Sequence, residues 1–180
     1  MTCIVAVEAD GVVYMGSDRK ASSSWSAGVV EAPKMFENGP LLVGYTTSFR
    51  MGQLLQHALQ VPTHTLTWDV DRWVSTDLAT AVRECYDAHG WNETKDGRAV
   101  NGNWLMAVSG RCYEMQSDYS FIRDTAGEYA VGSGEDFALG SLHATRGQEP
   151  RTRVLAALEA AAERCPSVGG PFDLREQATS

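Results

Sequence analysis

Thr2 follows the initiator methionine, so removal of Met1 would leave a hydroxyl nucleophile and a free α-amine on one residue. The chemistry on offer is nucleophilic attack with a built-in base. A threonine hydroxyl is a weak nucleophile until something takes its proton, and an α-amine with a reference pKa of ~7.7–8.0 is close enough to neutrality to take it. While Met1 stays attached, that nitrogen is an amide and accepts no proton. A Met-Thr start is common, however, and Thr2 gains weight only from its surroundings. Other chemistries find less support. Cys3, Cys85, Cys112 and Cys165 are widely spaced with no C-x-x-C pair, which suggests neither a zinc site nor a disulfide framework. His57, His64, His89 and His143 show no ligand spacing with acidic residues or cysteines, so no metal is expected. Gly132-Ser133-Gly134 lacks the third glycine and the βαβ unit of a dinucleotide fingerprint, and no cofactor is expected.

The elements that would position Thr2 follow from the hydrophobic period. Residues 2–7 read as a strand, Ala9-Asp10-Gly11 as a turn, and residues 12–15 as the returning strand, closing on Gly16-Ser17-Asp18. Lys34 opens a second strand pair around Glu37-Asn38-Gly39-Pro40. Ser48 can cap a helix carrying Met51, Leu54, Leu55, Ala58 and Leu59, which Pro62 stops. A second helix follows Thr67, with Val70, Trp73, Val74, Leu78, Ala81, Val82, Cys85 and Tyr86 in one stripe, and ends near His89-Gly90. Residues 90–102 are polar and glycine-punctuated, an exposed loop inside one domain. Residues 104–108 and 112–115 flank a Ser109-Gly110-Arg111 hairpin turn, and residues 119–122 and 128–131 are expected to continue that sheet. Helices are then predicted from Glu135 and over about 152–164, before Pro166, with a short last strand over 169–174. Strands, two helices, strands, two helices and a final strand fit an α+β four-layer αββα sandwich, with two antiparallel sheets between helix pairs.

Composition narrows the class. The chain has 180 residues, 43% of them hydrophobic, enough for one sizeable core and a single domain over residues 1–180. Its net charge of −8, from 23 acidic against 15 basic residues, argues against nucleic acid as a partner, because phosphate binding needs a basic face. No apolar leader precedes the first strand and no run approaches the ~18 apolar residues of a membrane span, so a cytoplasmic chain with no membrane partner is expected.

Thr2, Gly16-Ser17-Asp18, Lys34 and Gly132-Ser133-Gly134, in this order and spacing, resemble the proteasome β-subunit family of N-terminal nucleophile (Ntn) hydrolases, and among them the compact HslV-type peptidases. The resemblance implies the αββα sandwich, amide-bond hydrolysis of peptides or unfolded proteins, and assembly into a homo-oligomeric ring. The chain has no ATP-binding loop, so a separate ATP-dependent unfoldase would have to supply energy. The resemblance also implies roles. Lys34 would favour the neutral amine and the developing alkoxide, and Asp18 would keep Lys34 charged and oriented. Ser133 would hydrogen-bond the threonine amine or a proton-shuttling water. Taken alone, Lys34 reads as a surface residue before a hairpin, Asp18 as a turn residue, and Ser133 as a helix N-cap with Asp136 at N3.

Two positions depart from the family pattern. The oxyanion-binding backbone N–H falls on Thr47, where the family has glycine, and a β-branched residue there narrows the substrate's approach. The match for an outer aspartate falls on Cys165, with Ser167 one position early for the neighbouring serine. The resemblance also implies that the pocket beside the nucleophile is lined by Ala21, Ala32, Phe36 and Tyr45, with Phe49 nearby, an apolar set suited to an uncharged side chain. Phe36 and Tyr45 read equally as core. Three functions stay open on these residues: a threonine peptidase, a non-catalytic ring subunit, and an amidase acting on a small molecule.

Overall fold

The computed structural model describes residues 2–22, 25–63, 69–92, 94–95, 98–99 and 101–179. Strands β1 (Cys3–Ala9) and β2 (Val12–Asp18) form the first hairpin. Its two-residue turn, Asp10-Gly11, takes positive φ at both positions (51° and 74°), the conformation that matches the right-handed twist of the flanking strands. A small hairpin, β3 (Lys20–Ser22) with β4 (Ala27–Val29), comes next. Strands β5 (Met35–Asn38) and β6 (Leu41–Tyr45) follow. Helix α1 (Phe49–His57) starts at Ser48, whose hydroxyl accepts from the Arg50 N–H at 3.1 Å.

The second helical segment begins at Val70, capped by Asp69, and Thr67 lies outside the described residues. It runs as α2 (Val70–Trp73), a π-helical turn (Val74–Leu78) and α3 (Ala79–Ala88). Within the stretch expected to be a loop, β7 (Thr94–Lys95) and β8 (Arg98–Ala99) make a short hairpin. The rest is β9 (Trp104–Val108), β10 (Arg111–Met115), β11 (Phe121–Ile122), β12 (Glu128–Gly132), α4 (Glu135–Ala144), α5 (Pro150–Arg164) and β13 (Phe172–Ala178).

Two antiparallel sheets carry the fold, ordered β12-β1-β2-β13 and β11-β10-β9-β6-β5. Three buried clusters mark the interfaces between four layers. Along β1, Cys3, Val5 and Val7 face α4 and α5, whereas Ile4 and Ala6 face the other sheet. Along β9, Trp104, Met106 and Val108 face the α1–α3 side, whereas Leu105 and Ala107 meet Ile4, Ala6 and Met15 between the sheets. The period-2 alternation of each strand thus serves a different layer on each face. Gly44 is required at this inner interface, because a Cβ there would lie 2.5 Å from Ile4 Cγ2.

One placement differs from the expectation. Residues 128–131 do not continue the 104–122 sheet; β12 pairs with β1, Cys3 opposite Gly132. Tyr129 and Val131 fill the inter-sheet layer and Ala130 faces the helices, a pattern that suits either sheet, so hydrophobic order alone does not choose. The choice matters for function, because it brings Ser133 to Thr2.

A buried ion cluster ties β12 to α4 and α5. Arg146 grips the Glu128 carboxylate with two bonds (2.8 and 2.7 Å), and Arg153 donates to the same carboxylate and, at 2.9 Å, to the Leu142 carbonyl. The Arg146 bonds, and then those of Arg153, outweigh burial and hold the Glu128 pKa below 4.5. A depressed carboxylate pKa contributes stability above its unfolded value and loses it as pH falls through the folded one. Glu128→Ala leaves Arg153 buried without a counter-charge and is expected to cost about 3–5 kcal/mol at pH 7. Urea unfolding checks this, and the gap between variant and wild type should narrow as pH drops below about 4.5.

Candidate active site

Thr2 stands just ahead of β1 and is buried, 7% exposed. Its neighbour across the sheet end is Gly132, at φ 102°, where any Cβ would collide with the Thr2 carbonyl oxygen. Glycine is the residue that both the angle and the space allow. Ser133 follows, and its Oγ donates to the same carbonyl at 3.3 Å. Thr2 opens onto a cleft of about 260 Å³.

The β1–β2 register sets Asp18 beside the start of β1. Asp18 Oδ1 accepts from the Cys3 N–H at 3.0 Å and from Lys34 Nζ at 2.8 Å; Oδ2 accepts from the backbone N–H of Lys20 (3.1 Å) and Gly169 (3.4 Å). Lys34 precedes β5 in the opposite sheet and also donates to the Lys20 carbonyl at 2.6 Å. Both side chains are buried, at 1% and 0% exposure. Burial pulls the Lys34 ammonium below its ordinary pKa, with the Asp18 hydrogen bond and charge working against the shift. A buried cation therefore sits on a carboxylate that also holds the peptide group following Thr2. Cys3 belongs to this corner too, but burial first and Asp18 second push its thiol up to about 12. It stays protonated and is no nucleophile.

The far wall is the corner between β6 and α1. Thr47 has φ 63°, and the Ser48 N–H donates to the Thr46 carbonyl at 2.6 Å, closing a three-residue turn of the rare positive-φ kind. Thr46 Oγ1 donates to the Asn103 carbonyl at 2.7 Å, so in the 3.2 Å contact between the two hydroxyls Thr47 is the donor. The Thr47 backbone N–H has no acceptor among the described residues. The backbone thus takes the left-handed conformation natural to glycine while carrying a β-branched side chain. Gly102 accommodates that side chain, since a Cβ at 102 would lie 2.5 Å from Thr47 Oγ1.

Ser133 is not the N-cap of α4. That position is Gly134, with no side-chain cap bond, so the box with Asp136 does not form. The Ser133 hydroxyl is engaged instead by Thr2 and, at 2.9 Å, by Ser167 Oγ. Ser167 is buried and also contacts Cys165 Sγ at 3.1 Å, while the Cys165 thiol donates to the Ser133 carbonyl at 3.4 Å. Burial raises the Cys165 pKa, but the hydrogen bonds of Ser167 and Ser133 outweigh it and the net shift is downward. Cys165 and Ser167 together thus anchor Ser133 from behind, despite the shifted spacing.

The cleft differs in part from the expected pocket. Ala21, Tyr45 and Phe49 line it with Thr2. Ala32 is exposed and Phe36 is core, its ring 6.2 Å from that of Tyr45; neither is among the described lining residues. Ser22, Ser26, Thr46 and Ser48 complete the lining together with Thr47. Ser22 ends β3 and Ser26 precedes β4, three-residue strands too short to show a hydrophobic alternation, so neither serine carries a signal in the sequence; the Ser48 capping signal does mark the α1 end of the wall. No charged side chain lines the cleft among the described residues. Among those residues no group of three His, Cys, Asp or Glu could hold a metal, and His64 lies outside them. The described cysteines are free and buried. No helix of the described residues is long and apolar enough to cross a membrane.

No family model matches the chain, and no curated protein sequence matches it. Solved structures do. Thiobacillus denitrificans BPH in complex with epoxomicin superposes with a TM-score of 0.83 at 18% identity, covering 99% of this chain and 100% of that one. HslV from Trypanosoma brucei gives 0.69 at 16%, covering 98% and 99%, and the Anbu complex of Pseudomonas aeruginosa, described as a helical assembly, gives 0.66 at 15%, covering 98% and 81%. The αββα sandwich described above is therefore the proteasome β-type Ntn-hydrolase fold.

Proposed function

We propose that the chain is a threonine-type peptidase acting through Thr2 once Met1 is removed. The observation that carries this reading is the bonding of Asp18 Oδ1, which holds the Lys34 ammonium and the peptide N–H next to Thr2 at once. The freed α-amine takes the Thr2 hydroxyl proton, and Oγ1 attacks the substrate carbonyl carbon. The Lys34 charge favours the neutral amine and the forming alkoxide. The carbonyl electrons move onto oxygen, which the Thr47 N–H receives. Collapse breaks the C–N bond, the proton passes from the ammonium to the leaving amine, and a Thr2 ester remains. Water, deprotonated by the same amine, hydrolyses it. Ser133, anchored by Ser167 and Cys165, positions the Thr2 main chain.

The competing reading, a non-catalytic ring subunit, draws on Thr47 and Cys165. Against it stands the placement of the buried Lys34–Asp18 pair, which holds the peptide group following Thr2 and sets a cation where the freed amine would need it. The small-molecule amidase reading shares the mechanism and parts from this one only by substrate trials.

Epoxomicin, bound in the Thiobacillus structure, is the direct probe. Met1-free protein should gain one adduct by intact mass and Thr2→Ala none; an unmodified Met1-free protein would contradict the reading. Thr47 supplies a second test. Thr47→Gly keeps the donor N–H, relieves a left-handed β-branched residue that costs of order 1–3 kcal/mol, and clears the approach. Its kcat/KM on peptides is expected to rise several-fold, and a fall would assign the Thr47 side chain a positive role.

We further infer a homo-oligomer acting on peptides or unfolded chains. Support comes from the shared fold and from the helical assembly of the Anbu neighbour. Any ATP-dependent unfoldase would be a separate partner. Native mass measurement tests the assembly.

A further inference from the structure

Helix α1 carries a glycine, Gly52, among its buried residues. Glycine inside a helix is less stable than alanine, so its presence there calls for a packing reason. The reason is the Tyr45 ring. A Cβ on residue 52 would lie 2.5 Å from Tyr45 Cζ and 2.6 Å from both Cε atoms. The hydroxyl end of the ring therefore occupies the space that a Cβ at residue 52 would need, where ordinary contact requires 3.4 Å or more. Phe36 packs against the ring at 6.2 Å between centroids, and Phe49 meets it edge-on at 6.3 Å. Among the described residues no hydrogen bond tethers the phenol, so packing alone fixes the ring. The ring also borders the cleft that Thr2 faces.

We propose that Gly52 is a specificity-determining residue: by giving the Tyr45 ring room beneath α1, it keeps open the part of the cleft that receives an uncharged substrate side chain next to the attacked carbonyl. The proposal rests on the peptidase reading of this cleft. A methyl group at position 52 forces the ring back by roughly an ångström, from 2.5 Å to ordinary contact. Phe36, 4% exposed, and the rest of the packed core leave little room on the buried side, whereas the cleft is open, so the ring moves into the cleft. Large substrate side chains then lose their place and small ones keep theirs. A change of about one methylene in a pocket shifts selectivity by ~10–200-fold.

The test uses four fluorogenic peptides that differ only in the residue before the scissile bond: Gly, Ala, Leu or Phe. Gly52→Ala is expected to lower kcat/KM for the Leu and Phe peptides by at least ~10-fold relative to the Ala peptide. Gly52→Ala/Tyr45→Leu should restore them, because the smaller side chain no longer meets the new methyl. Equal loss on all four peptides, or no rescue in the double variant, would overturn the proposal. Should Gly52→Ala fold poorly, Tyr45→Ala makes the converse test, with selectivity shifting toward Phe; an unchanged order overturns it. If neither wild type nor variants cleave any peptide, the peptidase reading fails separately. A crystal structure of Gly52→Ala then decides the pocket claim: a ring displaced into the cleft upholds it, and a ring in its original place overturns it.

Discussion

Thr2→Ala in Met1-free protein is expected to abolish peptide hydrolysis while leaving the fold intact. Removing the nucleophile of a hydrolase that uses covalent catalysis costs on the order of 10⁶ in kcat, and alanine at position 2 removes the hydroxyl without disturbing the Cys3 N–H bond to Asp18 or the carbonyl that Ser133 engages. The thermal midpoint should move little, because only Oγ1 and one methyl leave a site at the edge of the cleft. Retention of Met1 should be as damaging as Thr2→Ala. The hydroxyl persists, but the nitrogen is then an amide and takes no proton. Measuring both, with CD melts as control, separates loss of the nucleophile from loss of its base. Residual hydrolysis within tenfold of wild type in Thr2→Ala would exclude Thr2 as the attacking group, and in the Met1-retaining protein it would exclude the α-amine as the base.

Lys34→Met carries the second large effect, and here stability and activity fall together. The substitution keeps most of the unbranched side chain, one atom shorter, but leaves Asp18 buried at 0% exposure without its cation. Breaking a buried pair by removing one partner costs about 3–5 kcal/mol. The three backbone N–H groups on Asp18 soften the loss without cancelling the charge. Asp18→Asn/Lys34→Met removes both charges and should regain most of the stability in urea unfolding. It should regain no activity, since the cation that favours the neutral amine and the developing alkoxide is still gone. If the double variant recovered hydrolysis as well as stability, the pair would be structural only.

The outline of the fold was legible wherever local chemistry fixes local geometry. Asp10-Gly11 dictates the first turn through its positive φ angles, and Ser48 caps α1 with its own hydroxyl. What stayed hidden was set by partners distant in sequence. The pairing of β12 with β1 joins residues over a hundred apart, and the apolar residues of β12 would serve either sheet equally. Ser133 carries every local mark of an N-cap, yet Thr2 and Ser167 claim its hydroxyl. Ser167 reaches that place although its spacing is shifted, because a chain fold after Pro166, not sequence register, decides where its oxygen lies. Ala32 and Phe36 were expected beside the nucleophile from position along the chain, but one is exposed and the other packs behind Tyr45. The π-helical turn at Val74–Leu78 left no mark in the apolar stripe.

At Thr47 the sequence and the structure inform each other. A threonine in place of glycine suggests a damaged oxyanion site, yet the backbone still adopts φ 63° and leaves its N–H without an acceptor among the described residues. The side chain changes the approach to the site while the donor remains. Losing such a donor outright would cost ~2.7–4 kcal/mol of transition-state stabilisation, which is why conformation matters more here than residue type.

Catalysis by Thr2 as proposed requires a covalent acyl intermediate on its Oγ1, and that intermediate can be trapped. Met1-free protein mixed with a slowly hydrolysed peptide ester, quenched in acid and mapped by mass spectrometry should carry one acyl group, located on Thr2, that disappears in Thr2→Ala. An acyl group found on another residue, or none in protein whose N-terminus is shown to be Thr2, would rule out Thr2 as the nucleophile.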